Sequence, residues 1–154
     1  MEQQRRPLTL GSDHAGFEMK TFIKGELSRR GIAFVDCGAA QLDPLDDYPV
    51  FTARVARAVA TGEAEQGIAV CGTGIGASIT ANRFRGVRAA LCTTPEMAAM
   101  ARKHNDANVL VIGGRMTAPQ VVAAILDAWF AAAPEGGRHQ RRIEQMDTAE
   151  TLDD

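Results

Sequence analysis

Residues 69–79 read AVCGTGIGASI, in which an apolar run ends at a cysteine and three glycines follow at alternate positions. The run QGIAVCG (66–72) predicts a buried β-strand, and the segment from about Ala77 to Arg83 predicts a helix. A strand, a glycine-rich turn and a helix in this order are typical of parallel sheets whose strands alternate with helices. The glycines also predict a loop whose backbone N–H groups can bind an anion.

The same alternation of short apolar runs and amphipathic segments extends in both directions from this loop. Further strands are predicted at PLTLGSD (7–13), IAFVDCG (32–38), GVRAALCT (86–93) and VLVIGG (109–114). Further helices are predicted at 15–31, at 50–62, from Thr94-Pro95-Glu96 to about 103, at 117–133 and, as a charged terminal helix or arm, from about 138. We therefore expect one α/β domain over 1–154, a three-layer Rossmann-like fold with a five-stranded parallel sheet and helices on both faces.

Composition narrows the class of protein. The 154 residues are 45% hydrophobic and 23% charged with a net charge of −2, so we expect no nucleic-acid partner. No apolar run approaches the roughly 20 residues that cross a bilayer, and no apolar segment follows the basic start MEQQRRP, so we expect neither a membrane partner nor a secretory signal. Three cysteines without a CxxC pair predict a reducing, cytoplasmic location, and three scattered histidines predict no zinc site.

In parallel α/β sheets, ligands bind beyond the carboxyl ends of the strands. The strand ends in this sequence carry the segments Ser12-Asp13-His14, Asp36-Cys37-Gly38, Cys71 to Gly76, Cys92-Thr93-Thr94 and Gly113-Gly114-Arg115. We expect the functional residues among these segments.

The glycine loop permits two interpretations. Gly72-x-Gly74-x-x-Ala77 matches a dinucleotide-binding fingerprint, but that site needs an acidic residue at the end of the next strand, and here Cys92 and two threonines stand there. A loop that binds a phosphate or an oxyanion fits better. Cys71 directly precedes it, where a helix N-terminus favours a reactive thiolate, although a buried and inert thiol is an equally good interpretation from the residue alone.

Other polar candidates also have ordinary structural interpretations. Asp13 and His14 suit a helix cap, His104 suits a helix C-terminus, and Tyr48 suits a loop. An arginine pair at 138 and 142 would share one helical face, which suits either a phosphate or solvent. Taken together, an oxyanion loop, a thiol, histidines and an arginine pair favour proton abstraction next to a carbonyl.

Five motifs in order then resemble one known family. They are GSDHAGF (11–17), DYP (47–49), GIAVCGTGIGASITANRFRGVRA (67–89), ARKHNDANVLVIGGR (101–115) and EGGRHQRRI (135–143). The chain resembles the family of ribose-5-phosphate isomerase B and the galactose-6-phosphate isomerase subunits from about Leu8 to Ile143. The resemblance implies an aldose–ketose isomerase that interconverts ribose 5-phosphate and ribulose 5-phosphate through an enediolate, without a metal or another cofactor.

The resemblance also implies roles for individual residues. Cys71 matches the catalytic base; some relatives use a glutamate a few residues downstream, but Ile75 and Gly76 stand there in this chain. Asp13 and His104 match residues that open the sugar ring, with Thr73 assisting. The oxyanion hole would be the backbone of Gly72, Thr73, Gly74, Ile75 and Gly76. The remaining substrate-binding positions are Tyr48 and Asn105 for the sugar and His14, Arg115, Arg138 and Arg142 for the phosphate.

In this family some site residues come from a neighbouring subunit. The resemblance therefore implies a homodimer or homotetramer with active sites at the subunit interface and with the arm from about 138 in contact with a partner. Two alternatives stay open from the sequence, namely an isomerase of a tetrose or hexose phosphate and a non-catalytic sugar-phosphate-binding protein.

Overall fold

Five parallel strands form one sheet in the computed structural model, which describes residues 5–152. The strands are β1 (Leu8–Ser12), β2 (Phe34–Asp36), β3 (Gly67–Cys71), β4 (Ala89–Leu91) and β5 (Val109–Gly113). They lie in the order β2-β1-β3-β5-β4, and every neighbouring pair is parallel. The predicted five-stranded parallel sheet is confirmed.

Helices cover both faces of this sheet. They are α1 (Phe17–Arg29), α2 (Tyr48–Ala60), α3 (Ile75–Ala81), α4 (Pro95–Asn105), α5 (Pro119–Ala131) and α6 (Arg138–Asp147), with short 3-10 turns at His14–Gly16 and Ala149–Thr151. Buried side chains of α1, α4 and α5 pack on one face, and those of α2 and α3 pack on the other. Helix α6 packs outside, against α4. The predicted three-layer arrangement is therefore confirmed.

Side chains along β3 alternate between the two faces of the sheet, so the position of Cys71 in the strand determines the face on which its thiol lies. Ile68 and Val70 are buried in the cluster with α1, α4 and α5, whereas Ala69 and Cys71 are buried in the cluster with α2 and α3. Because both faces are covered, the strand is one continuous apolar run. Cys71 therefore lies between the sheet and the helix that follows it.

The strand order reverses between β1 and β3. From β1 the chain moves outward to β2, and it then returns to place β3 on the other side of β1. Ligand sites of parallel sheets lie at such a reversal, outside the carboxyl ends of the strands. Asp13 follows β1 and Cys71 ends β3, so both lie at this point.

Helices α2 and α3 begin two residues before their predicted starts. Helix α3 begins at Ile75 rather than Ala77, because the Ser78 N–H already donates to the Gly74 carbonyl at 2.9 Å. Helix α2 begins at Tyr48 rather than Val50, with Pro49 in its first turn, where proline is favoured. Tyr48 is therefore a helical residue and not the loop residue that the sequence predicted.

The remaining elements are all present, and their bounds differ from the predicted ones by at most three residues; β4, for example, is Ala89–Leu91 rather than 86–93. Thr94 caps α4 as predicted, since its Oγ1 accepts the Met97 N–H at 3.2 Å. The terminal helix from Arg138 is present as α6. Residues 1–4 and 153–154, which belong to the predicted domain and its charged arm, lie outside the described residues. Across 5–152, no helix combines the length and the apolar character that a membrane span requires.

Candidate active site

The glycine loop wraps around the thiol of Cys71. Cys71 is 3% exposed, and its Sγ accepts the backbone N–H of Gly74 at 3.2 Å. Gly74 has φ +82°, a left-handed conformation that glycine adopts without strain. A side chain there would also approach the Leu91 Cδ1 to 2.5 Å. The loop geometry therefore directs an N–H group at the sulfur.

The loop after β5 is tied to the glycine loop. The Gly114 N–H donates to the Cys71 carbonyl at 2.8 Å, and the Arg115 N–H donates to the Gly72 carbonyl at 2.9 Å. A Cβ built on Gly72 would lie 3.7 Å from Nη1 of Arg115. The Arg115 guanidinium therefore lies beside Gly72 and supplies positive charge at the glycine loop.

Tyr48 covers the first turn of α3. A Cβ on Gly76 would lie 2.3 Å from the Tyr48 Oη, so only glycine allows this close approach. Thr73 and Ile75 form the exposed lip of the loop, and the Ile75 N–H donates to Thr73 Oγ1 at 3.2 Å. The Thr73 hydroxyl and the Tyr48 phenol therefore both lie at the glycine loop.

Asp13 and His14 complete this side of the sheet. Asp13 is 4% exposed, and its Oδ1 accepts the Gly16 N–H at 3.0 Å. His14 follows it and bonds through Nδ1 to Oδ1 of Asp46 at 2.7 Å. We call Asp13, His14, Tyr48, Cys71 to Gly76 and Arg115 the carboxyl-edge site.

The remaining candidates lie at the opposite edge of the sheet. His104 and Asn105 form the last turn of α4, and the Asn105 carbonyl accepts Nε of Arg88, which immediately precedes β4. They therefore lie where β4 and β5 begin, while Cys71 pairs in register with Gly113, where β5 ends. Strand β5 alone advances about 13 Å from Val109 to Gly113.

Helix α6 belongs to this second group. His139 is buried and stacks on His104, with ring centroids 4.2 Å apart and an interplanar angle of 7°. The Glu135 N–H donates to the Lys103 carbonyl at 3.0 Å, which fixes the start of the arm. Arg138 and Arg142 are exposed on α6. We call His104, Asn105, Arg138, His139 and Arg142 the amino-edge cluster.

The surroundings of His14, His139 and Cys92 shift the pKa values of these side chains. Burial, followed by the charges of His104 and Arg138, lowers the pKa of His139, so its ring is neutral at physiological pH. The hydrogen bond to Asp46 raises the pKa of His14. Burial raises the pKa of Cys92 to about 11, which makes that thiol inert.

Two groups of side chains bring possible metal-ligand atoms within 4.8 Å of one another, namely His104–Glu135–His139 and Asp13–His14–Asp46. In the first group the two rings are stacked almost parallel, so their in-plane lone pairs do not meet at one ion. In the second, Oδ1 of Asp13 and of Asp46 already accept backbone N–H groups. A cavity of about 750 Å³ at the amino edge, lined by Arg30, Arg102 and Trp129, contains none of the predicted site residues.

Sequence reasoning did not name Asp46 or His139 as site residues. Asp46 lies in QLDPLDD, a segment without periodicity in which nothing separates one aspartate from the next. His139 adjoins the predicted Arg138, and its contact with His104 joins two segments 35 positions apart. The one sequence signal that could have suggested His139 as a site residue is that both histidines lie within the motifs shared with the family.

Known proteins match this chain along almost its whole length. Residues 8–146 match the model of the Ribose/Galactose Isomerase family. Ribose-5-phosphate isomerase B of Escherichia coli is 43% identical over 145 residues, which cover 94% of this chain and 97% of that protein. Ribose-5-phosphate isomerase B of Clostridium thermocellum superposes with a TM-score of 0.90 at 42% identity, covering 94% and 97% of the two chains.

A solved relative carries a ligand. Ribose-5-phosphate isomerase B of Mycoplasma genitalium with bound ribulose 5-phosphate has a TM-score of 0.89 and 38% identity, covering 96% of this chain and 97% of that one. These matches place the chain in the class of sugar-phosphate isomerases. It belongs to the Ribose/Galactose Isomerase family.

Proposed function

We propose that this chain interconverts ribose 5-phosphate and ribulose 5-phosphate, with Cys71 as the base. The observation that carries the proposal is the buried Cys71 sulfur, which accepts the Gly74 N–H at the carboxyl edge of the sheet. The relatives named ribose-5-phosphate isomerase B, one of them with bound ribulose 5-phosphate, support the choice of a pentose.

The proposed chemistry moves one proton between neighbouring carbons and one proton between their oxygens. The Cys71 thiolate removes the proton from C2 of the open-chain aldose, and the C–H electron pair becomes the C1–C2 double bond of an enediolate. The negative charge moves to the oxygen on C1. The proton of the C2 hydroxyl moves to the C1 oxygen, which leaves the negative charge on the C2 oxygen. The thiol then returns its proton to C1, and the electrons on the C2 oxygen form the ketone. No electron is lost and no oxidant is needed.

The glycine loop suits the charged intermediate. The Gly74 N–H faces the thiol, and we assign the oxyanion hole to the backbone donors of the Gly72–Gly76 loop, since such donors stabilise a developing oxyanion by an amount worth about 10²–10³ in rate. Arg115 adds positive charge beside Gly72. The Tyr48 ring, which lies on Gly76, would form one wall for the sugar.

Ring opening requires an acid and a base at the anomeric centre. We assign these roles to Asp13 and to His104, with the Thr73 hydroxyl assisting. Asp13 is buried next to the start of the loop, whereas His104 lies at the far edge of the sheet. A single chain therefore does not bring the two groups to one sugar.

A second copy of the chain would bring the two groups to one sugar. In a twofold dimer, the amino-edge cluster of one copy would face the carboxyl-edge site of the other, and symmetry would create two identical active sites. Arg138 and Arg142 of α6 are exposed and would bind the phosphate across the interface, while Asn105 would contact the sugar. The dimer, or a tetramer built from it, is thus part of the proposal.

The test is an isomerisation assay by NMR in D2O with EDTA present. We would follow deuterium incorporation and ketose formation for aldose phosphates of four, five and six carbons. Fastest turnover of ribose 5-phosphate supports the proposal. Preference for a tetrose or hexose phosphate contradicts the substrate assignment, and absence of exchange by folded protein contradicts the catalytic function.

A further inference from the structure

His14 is held by a single carboxylate oxygen. Its backbone N–H and its ring Nδ1 both bond to Oδ1 of Asp46, at 2.9 and 2.7 Å. Two bonds to one atom fix the backbone and the ring of His14 together. They also fix the tautomer, since Nδ1 carries the proton that it donates and Nε2 stays free for another partner.

Asp46 is itself fixed in place. The Leu45 N–H donates to Oδ1 of Asp43 at 2.9 Å, and the Asp46 N–H donates to the Asp43 carbonyl at 3.1 Å. This turn directs the Asp46 side chain inward, where it is 9% exposed. Its second oxygen, Oδ2, is buried and makes no hydrogen bond among the described residues. The His14 bonds are therefore the ones that this buried carboxylate makes.

We propose that Asp46 is the positioning residue of His14: its bonds to the backbone N–H and to Nδ1 orient the imidazole so that Nε2 faces the substrate phosphate. The proposal rests on the proposed function, in which His14 binds the phosphate. It assigns to Asp46 a role that the sequence motifs did not suggest.

The charges around His14 agree with this role. The Asp46 hydrogen bond raises the pKa of His14, and the charge of Asp13 raises it further, while partial burial and the Arg115 guanidinium oppose the rise. The His14 side chain remains 28% exposed, so a ligand can reach it. The Asp46 bond favours the protonated ring, whose Nε2–H suits a phosphate.

The first test is the titration of His14, followed by NMR on its ring Cε1–H in the wild type and in Asp46→Asn. We expect a wild-type midpoint above 6.5 and a lower midpoint in the variant. Because Asn keeps the size and an acceptor oxygen, it removes mainly the charge. Glu96→Gln, an exposed carboxylate at the start of α4, is the matched control and should not move the midpoint.

A wild-type midpoint at or below 6.5 would overturn the proposal, even if Asp46→Asn failed to fold. An unchanged midpoint in folded Asp46→Asn would overturn it as well. This measurement needs no turnover, so it tests Asp46 whether or not the proposed isomerase activity exists.

The second test is kinetic. We expect Asp46→Asn to raise the KM for ribose 5-phosphate about tenfold with a smaller change in kcat, because a charge-assisted bond to phosphate is lost. The rise of KM with pH should begin at lower pH than in the wild type.

The same substitution in a His14→Ala background should add nothing further, because Asp46 acts through His14. An equal loss of affinity in both backgrounds would overturn the proposal. If His14→Ala alone left KM unchanged while the wild type turned over substrate, the phosphate role of His14 would be wrong and this proposal would fall with it.

Discussion

The carboxyl-edge site and the amino-edge cluster are built in different ways. The former uses loops that follow strands, where a left-handed glycine directs its backbone N–H at a buried thiol. The latter uses helix ends, where His104 closes α4 and His139 stacks on it from α6. Each contains part of the proposed chemistry, and the sheet separates them. Under the proposed mechanism, the comparison explains why the active site needs a second copy: one chain holds the complementary groups at opposite edges of its sheet.

Removing the thiol tests the carboxyl-edge site most severely. We expect Cys71→Ser to lower kcat about 10³-fold, because a hydroxyl is a much weaker base than a thiolate and general-base catalysis contributes 10²–10⁴. The measurement is kcat together with deuterium exchange at C2. Cys37→Ser, a half-buried thiol that contacts Thr9 Oγ1, is the control and should retain wild-type turnover. Wild-type exchange by Cys71→Ser would contradict its role as the base.

Backbone geometry of the glycine loop is the next target. Gly74→Ala should lower kcat about 10²-fold, because a Cβ there meets Leu91 and displaces the N–H that faces Cys71. Gly86 is a matched control with φ +85° but nothing within 4 Å of an added Cβ. Gly86→Ala should cost about 1–2 kcal/mol of unfolding free energy and leave kcat unchanged. Equal loss of kcat in both variants would contradict a special role for the loop.

The arginines of α6 test the amino-edge cluster. Arg138→Ala and Arg142→Ala should each raise the KM of ribose 5-phosphate about tenfold, since a bond from a charged donor is worth about 1.5–3 kcal/mol. Free ribose should bind with little change. Arg141→Ala, an exposed arginine on the same helix, serves as the control. If the affinity of the variants for free ribose falls as much as their affinity for ribose 5-phosphate, these arginines do not bind the phosphate group.

Much of the fold was predictable because the sequence shows two clear patterns: continuous apolar runs for the buried strands and helical spacing of apolar residues for the helices. The buried runs of β3 and β5 and the helical spacing in α2 and α5 place each element within a few residues. The start of α3 was wrong by two residues, since Gly74 already accepts the first helical hydrogen bond through its carbonyl. Such boundaries depend on local geometry that periodicity does not encode.

The site was predictable only in part. Strand ends indicated Asp13, Cys71 and Arg115, and these lie together at the carboxyl edge. The bond between Asp46 and His14 joins an irregular loop to a strand end, so no pattern in the sequence marks it. The edge on which His104 lies follows from topology: α4 leads from the end of β4 to the start of β5, and so its last turn lies away from Cys71.

The most direct test of the two-edge arrangement is complementation between inactive variants. We would co-express Cys71→Ser and His104→Asn chains with different affinity tags, purify the mixed dimer and measure kcat with ribose 5-phosphate. If one copy supplies Cys71 and the other supplies His104, the mixed dimer contains one intact site, and its kcat per dimer should reach about half that of the wild type. A mixed dimer as inactive as either parent would contradict an active site shared between two copies.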